Sequence, residues 1–138
     1  MKVMNVTLTR RQMFHYWMDV TYPLHKLGKT EQSVFAEMLF YRDLLKDKVS
    51  DDTLLNKLVF DHEVKVKIMK TLNLKQNRLA LALTKLRKQG AIIGRTINVN
   101  YLPDIKDNEA VMAYKFVIKN EAGETNKEEI LNENNENS

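Results

Sequence analysis

The sequence predicts a mainly α-helical fold with a small β-hairpin, and three observations carry that expectation. Apolar residues recur at helical spacing between capping signals from Thr9 to Gly90, and two alternating stretches follow between residues 97 and 118. A length of 138 residues with 43% hydrophobic content suffices for one core but not for two. The apolar runs are short, Leu79 through Leu83 being among the longest, so no membrane span or signal-peptide core is expected and a cytoplasmic location is the default. The chain has no cysteine, which removes disulfides, thiolate nucleophiles and cysteine-ligated zinc together.

The elements follow in order. Residues 3–8 alternate, Met4, Val6 and Leu8 against Val3, Asn5 and Thr7, as a half-buried strand does. Thr9 and Gln12 form a capping box for a helix that presents Met13, Trp17 and Val20 on one face with Phe14 and Met18 beside them, and Pro23 marks its end. This aromatic helix is core or a dimer contact. Thr30 caps the next helix, whose stripe of Val34, Phe35, Met38, Leu39, Tyr41, Leu44 and Leu45 runs to about Lys46. Ser50, Asp51 and Asp52 suit the positive end of a short helix carrying Leu54, Leu55 and Leu58. Asp61 caps another with Val64, Ile68 and Leu72 inward, ended by Asn73 in the left-handed region. A helix from about Gln76 to Gln89 then turns Leu79, Ala82, Leu83 and Leu86 inward and stops at Gly90. Strands at 97–101 and 112–118 complete the fold, with a hairpin tip between Leu102 and Ala110.

Charge is distributed unevenly. Residues 120–138 hold six glutamates against Lys127 alone, a net −5, so with +4 overall residues 1–119 carry +9. No acidic residue occurs from Val64 through Pro103, a span with nine lysines and arginines. Such a one-sign field favours a polyanion, against the plainer reading of a solvated lysine face. The acidic end has almost no apolar residue besides Ile130 and Leu131 and is expected to be a disordered tail.

The stretch from Ile68 to Ile92, IMKTLNLKQNRLALALTKLRKQGAI, resembles the winged helix-turn-helix superfamily. Leu74 stands where the family has an apolar residue in the turn, Leu79, Leu83 and Leu86 supply the apolar triplet of its third helix, and Gly90 with Ile92 begins the wing. The resemblance covers roughly residues 30–118. It implies a central domain at 29–119, preceded by the strand and aromatic helix of 1–28 and followed by the tail of 120–138. Small phage and plasmid regulators and replication initiators are similar in size and Lys/Asn-rich composition, which implies a bacterial or phage-infected host cell.

What the resemblance implies is a duplex DNA-binding regulator of transcription or replication, not an enzyme, needing no cofactor and possibly homodimeric, whose helix at about 76–89 lies in the major groove. Position by position, the contacting residues are Lys75, Gln76, Asn77, Arg78, Leu81, Thr84, Lys85, Arg87 and Lys88, with Arg95 and Lys106 serving the wing. Gln76, Asn77 and Arg78 have the chemistry to read base edges, while Lys85, Arg87 and Lys88 suit phosphates. Ala80 and Leu81 depart from the polar pattern, and Lys75 stands where a serine or threonine cap is usual. They motivate the alternative, a winged-helix protein-interaction module such as a phage structural component or a polymerase adaptor.

Other chemistries find little footing. His15, His25 and His62 are far apart and lack partners at metal-ligand spacing, Asp51 and Asp52 fit a helix start, and no Gly-rich phosphate loop or activated serine context occurs. Asp104, Asp107 and Glu109 read as solvated loop residues whose acidity weakens phosphate contact at the expected hairpin tip.

Overall fold

The computed structural model describes residues 2–121, and the chain divides into two compact units, Met1–Pro103 and Asp104–Ser138. The acidic tail expected at 120–138 falls outside the described residues from position 122 onward.

In the first unit, α1 (Arg10–Val20) opens with the expected capping box: Thr9 Oγ1 accepts the Gln12 N–H at 3.2 Å, and the Gln12 side-chain oxygen accepts the Thr9 N–H at 3.0 Å. The strand expected at residues 3–8 is not formed. Val3, Met4 and Val6 are exposed, and alternation makes a strand only where a ladder takes up the backbone hydrogen bonds. Pro23 does not simply end α1 but sits in the first turn of the short α2 (Tyr22–His25), where its missing N–H costs nothing, and Lys26 closes that turn in the left-handed region.

The central helix is α3 (Lys29–Lys46), against which α1, α4 (Asp52–Val59), α5 (His62–Leu72) and α6 (Gln76–Lys88) all pack. Its cap is Gly28 rather than Thr30. The Gly28 carbonyl accepts the Gln32 N–H at 2.9 Å, and a Cβ at position 28 would collide with the Glu31 carboxylate. Val34, Phe35, Ala36, Met38 and Leu39 are buried along α3, facing Phe14 and Met18 of α1, Leu55 and Val59 of α4, Ile68 of α5 and the inner stripe of α6 as the other buried apolar side chains of these elements. Asp51 caps α4, accepting the Leu54 N–H at 3.3 Å, and Asn73 ends α5 at φ 54° and ψ 51°, the left-handed stop expected of it.

Between α1 and α3 the core holds charge. Glu37, fully buried, receives His15 Nε2 at 2.7 Å and Arg11 Nε at 3.1 Å, while Arg10 pairs with Asp43 at 2.9 Å. The pairings descend along α3 as they ascend along α1, so the two helices run antiparallel. Burial pushes the Glu37 carboxyl up, but the hydrogen bond from His15 and the Arg11 charge together outweigh it and hold the group below its ordinary 4.5. A depressed carboxyl stabilises the fold fully above that ordinary value, and this contribution disappears as pH falls through the folded-state value. Denaturant titrations between neutral and acid pH are therefore expected to show stability falling on acidification, with a shallower fall in Glu37→Gln; equal slopes would contradict the pairing.

The aromatic helix α1 is thus core. Phe14 and Met18 are buried, and the Trp17 indole N–H donates to the Tyr101 carbonyl at 2.9 Å.

After α6, Gly90 at φ 84° turns the chain into a hairpin of β1 (Ile92–Ile93) and β2 (Thr96–Ile97), paired Ile92↔Ile97 and Ile93↔Thr96. Gly94 leads the two-residue loop at φ 65°, where a tight hairpin needs a positive angle. Ala91, Ile92 and Ile97 are buried, so the base of the hairpin completes the core. The strands expected at 97–101 and 112–118 and their tip at 102–110 are corrected accordingly. Only Ile97 of the first is in a strand. Val99–Tyr101 forms a short 3₁₀ turn, started by Asn98, whose side chain accepts the Asn100 N–H at 3.0 Å. Residues 112–118 belong to no ladder among the described residues.

The second unit contains its own hairpin, β3 (Ile105–Lys106) and β4 (Glu109–Ala110), paired Ile105↔Ala110 and Lys106↔Glu109. Its loop, Asp107 and Asn108, has φ of 54° and 59°, values that these two residue types tolerate best after glycine. Among the described residues no helix is long and apolar enough to cross a membrane.

Candidate nucleic-acid interface

The surface of α6 follows from its buried stripe. Leu79, Ala82, Leu83 and Leu86 face the core, and at about 100° per residue the ridge opposite them consists of Asn77, Leu81, Thr84 and Lys88. All four are exposed, Leu81 by half. Thr84 Oγ1 donates back to the Ala80 carbonyl at 3.0 Å, which satisfies its hydroxyl within the helix.

Basic side chains flank this ridge on both sides and are steered by neighbouring elements. On one flank Arg78 reaches Thr30 Oγ1 at 3.4 Å and Lys85 lies 3.9 Å from the Glu31 carboxylate, both at the start of α3. On the other, Arg87 Nε donates to the Gly94 carbonyl at 3.0 Å and ties the β1–β2 loop to α6. Arg95, at the tip of that loop, donates to the Phe60 carbonyl at 3.4 Å, where it meets the C-terminal end of α4 and the helix dipole there. Asn98 Nδ2 donates to the Gly90 carbonyl at 2.8 Å and pins the hairpin base. The loop is therefore held at three points.

Most of the residues singled out from sequence come together on this surface. Lys75, Gln76, Asn77, Arg78, Leu81, Thr84, Lys85, Arg87 and Lys88 are exposed on or at the cap of α6, and Arg95 stands on the adjoining hairpin. Lys106 lies on β3 in the second unit. The distribution of roles also shifts. Arg78 and Lys85 lean toward α3 instead of heading the outward ridge, and Arg87 braces the hairpin. Lys75 caps α6 without any side-chain hydrogen bond, and no acidic residue occupies the first turn, so the positive end of the helix dipole remains uncompensated.

Sequence reasoning missed the three-point hold on the hairpin. Its signal was faint: Gly94 followed by Arg95 between pairs of branched residues. The histidines serve structure. The Leu27 N–H donates to His25 Nδ1 at 2.9 Å, leaving Nε2 to donate to the Met18 carbonyl at 2.9 Å, His15 holds Glu37, and His62 is exposed at the start of α5. Among the described residues no three His, Asp or Glu side chains gather as metal ligands do. Comparison of the chain with protein-family models, with curated proteins and with solved structures gives no match.

Proposed function

We propose that the chain is a winged helix-turn-helix protein that binds duplex DNA, with α6 in the major groove and the β1–β2 hairpin as the wing beside it. The observation that carries this reading is the outward ridge of Asn77, Leu81, Thr84 and Lys88, framed on both flanks by arginine and lysine within a span that has no acidic residue. Asn77 has the donor and acceptor to pair with adenine, the Thr84 methyl and Leu81 suit a thymine methyl, and the flanking cations suit the phosphates on either side of the groove. Uncompensated N–H groups at Lys75 and Gln76 add a site for one further phosphate. Regulation of transcription or replication is the role such a protein serves, within the cytoplasm of a bacterial or phage-infected cell.

The test is fluorescence anisotropy with random-sequence duplexes at low salt, followed by selection of preferred sites from the pool. Binding that weakens steeply with salt and a recovered motif support the reading. No binding even at low salt would sink it. A second reading, a protein-interaction module on the same scaffold, draws on the half-exposed Leu81 at the centre of the ridge. Leu81→Asp separates the two: loss of a stoichiometric protein partner with DNA affinity unchanged favours the module.

A further inference from the structure

Between Gln76 and Ile97 the large apolar side chains Leu79, Leu83, Leu86, Ile92 and Ile97 are buried, while Leu81 and Ile93 are exposed, Ile93 by 62%. Leu81 stands on the ridge of α6. Ile93 stands on the β1–β2 hairpin, where the core makes no use of it.

The hairpin has two faces. Ile92 and Ile97, partners across the ladder, turn into the core, so alternation sends the next pair, Ile93 and Thr96, to the opposite face, where both are exposed. The nearby cations are tied to the protein: Arg95 donates to the Phe60 carbonyl at 3.4 Å and Arg87 Nε to the Gly94 carbonyl at 3.0 Å. What this face of the hairpin offers to a partner is therefore an isoleucine and a threonine.

The mounting is stiff. Those two bonds fix the loop to α4 and α6, and Asn98 Nδ2 on the Gly90 carbonyl at 2.8 Å fixes the base. Isoleucine, branched at Cβ, adds little freedom about χ1. Parting two stacked base pairs is costly, and a loop that yields or a side chain that swings aside would not achieve it. We propose, building on the DNA reading above, that Ile93 is an intercalating wedge: with α6 in the major groove, it enters the adjoining minor groove, unstacks one base step and kinks the duplex there.

Position and charge favour this occupant. Ile93 directly precedes the Gly94 carbonyl that holds Arg87, and Arg87 lies on the flank of α6, so the wedge stands beside the helix. The Arg87 guanidinium keeps N–H groups beyond Nε for the phosphates between the two grooves. No acidic residue from Val64 through Pro103 repels them. A single isoleucine is too little surface for a protein partner, since stable interfaces cover about 800 Å² on each side. Pyrimidine–purine steps unstack most readily, so the preferred duplex carries a TA or CA/TG step to one side of the bases that α6 reads.

The test uses the full chain and a duplex of about 30 base pairs from the site selection, with a donor and an acceptor dye on its ends. A fluorescent adenine analogue, placed at one step at a time, reports unstacking. The unmodified chain is expected to bring the ends closer and to brighten the analogue at one step beside the α6 site. Ile93→Thr keeps a branched side chain at an exposed strand position, so its urea midpoint should be unchanged, yet both signals should return to those of the free duplex. Ile93→Leu should retain them. A mismatched pair at that step is easier to open and should tighten binding of the unmodified chain by about tenfold, with no gain for Ile93→Thr. Failure to bind any duplex would remove the DNA reading and the wedge with it. Binding to a straight duplex, a bend that Ile93→Thr leaves intact, or an equal response of both proteins to the mismatch would overturn the wedge alone.

Discussion

Leu86→Ala is expected to cost about 2–5 kcal/mol of folding stability, the range for deleting a fully enclosed leucine side chain and leaving a cavity. Leu86 is completely buried and lies in the stripe that seats α6 against α3. A loss of that size is a large part of the about 5–15 kcal/mol that holds an ordinary domain together. Leu81→Ala is its internal control. The same residue type is removed five positions earlier on the same helix, but Leu81 is half exposed, so the change should stay within about 0.5 kcal/mol. Urea titration of both variants measures the difference. A near-equal cost would mean that α6 does not face the core as described.

The second large effect concerns DNA. Removing Lys85, Arg87 and Lys88 together by alanine is expected to reduce the salt slope by about three and, near 0.1 M salt, to weaken binding by about a thousandfold, since each phosphate contact contributes roughly one unit of slope. The three residues supply different parts of that loss. Lys88→Ala, on the outward ridge, should weaken all duplexes alike. Arg87→Ala also frees the loop carbonyl of Gly94 and should cost more than one phosphate contact. Asn77→Ala should narrow the gap between best and worst sequences by about 1–3 kcal/mol per base pair read, with the slope unchanged. Arg78→Ala, on the flank beside α3, should instead weaken all duplexes alike and lower the slope by about one. A uniform response of slope and preference across these variants would place the contacts elsewhere.

How much of this was legible in the sequence depended on whether short-range pattern or distant contact set each feature. The buried stripe of α6, the capping box at Thr9 and the left-handed Asn73 follow from spacing of three or four residues and from local backbone chemistry. The β1–β2 hairpin does not, because strands of two residues have no period to detect. Residues 112–118 have the period without a ladder among the described residues: alternation records what a side chain prefers, whereas a ladder needs a second strand, and Pro103 denies it one within the β3–β4 hairpin. Thr30 is a good cap by type, yet the cap of α3 lies two residues earlier, at Gly28, beside the Glu31 carboxylate. Glu37 in an otherwise apolar run gave no sign of being buried, since its partners come from α1. On the candidate surface, composition identified nearly all the exposed residues, but which of them point outward and which lean on α3 or the hairpin is decided by tertiary neighbours.

The bond from the Trp17 indole to the Tyr101 carbonyl joins positions 84 residues apart, and Trp17 is the sole tryptophan of the chain. Emission from that ring should therefore respond to events at both extremities of the first unit. A change of wavelength during unfolding would register the moment at which the stretch after β2 lets go of α1, giving a built-in optical gauge of whether this loop is closed.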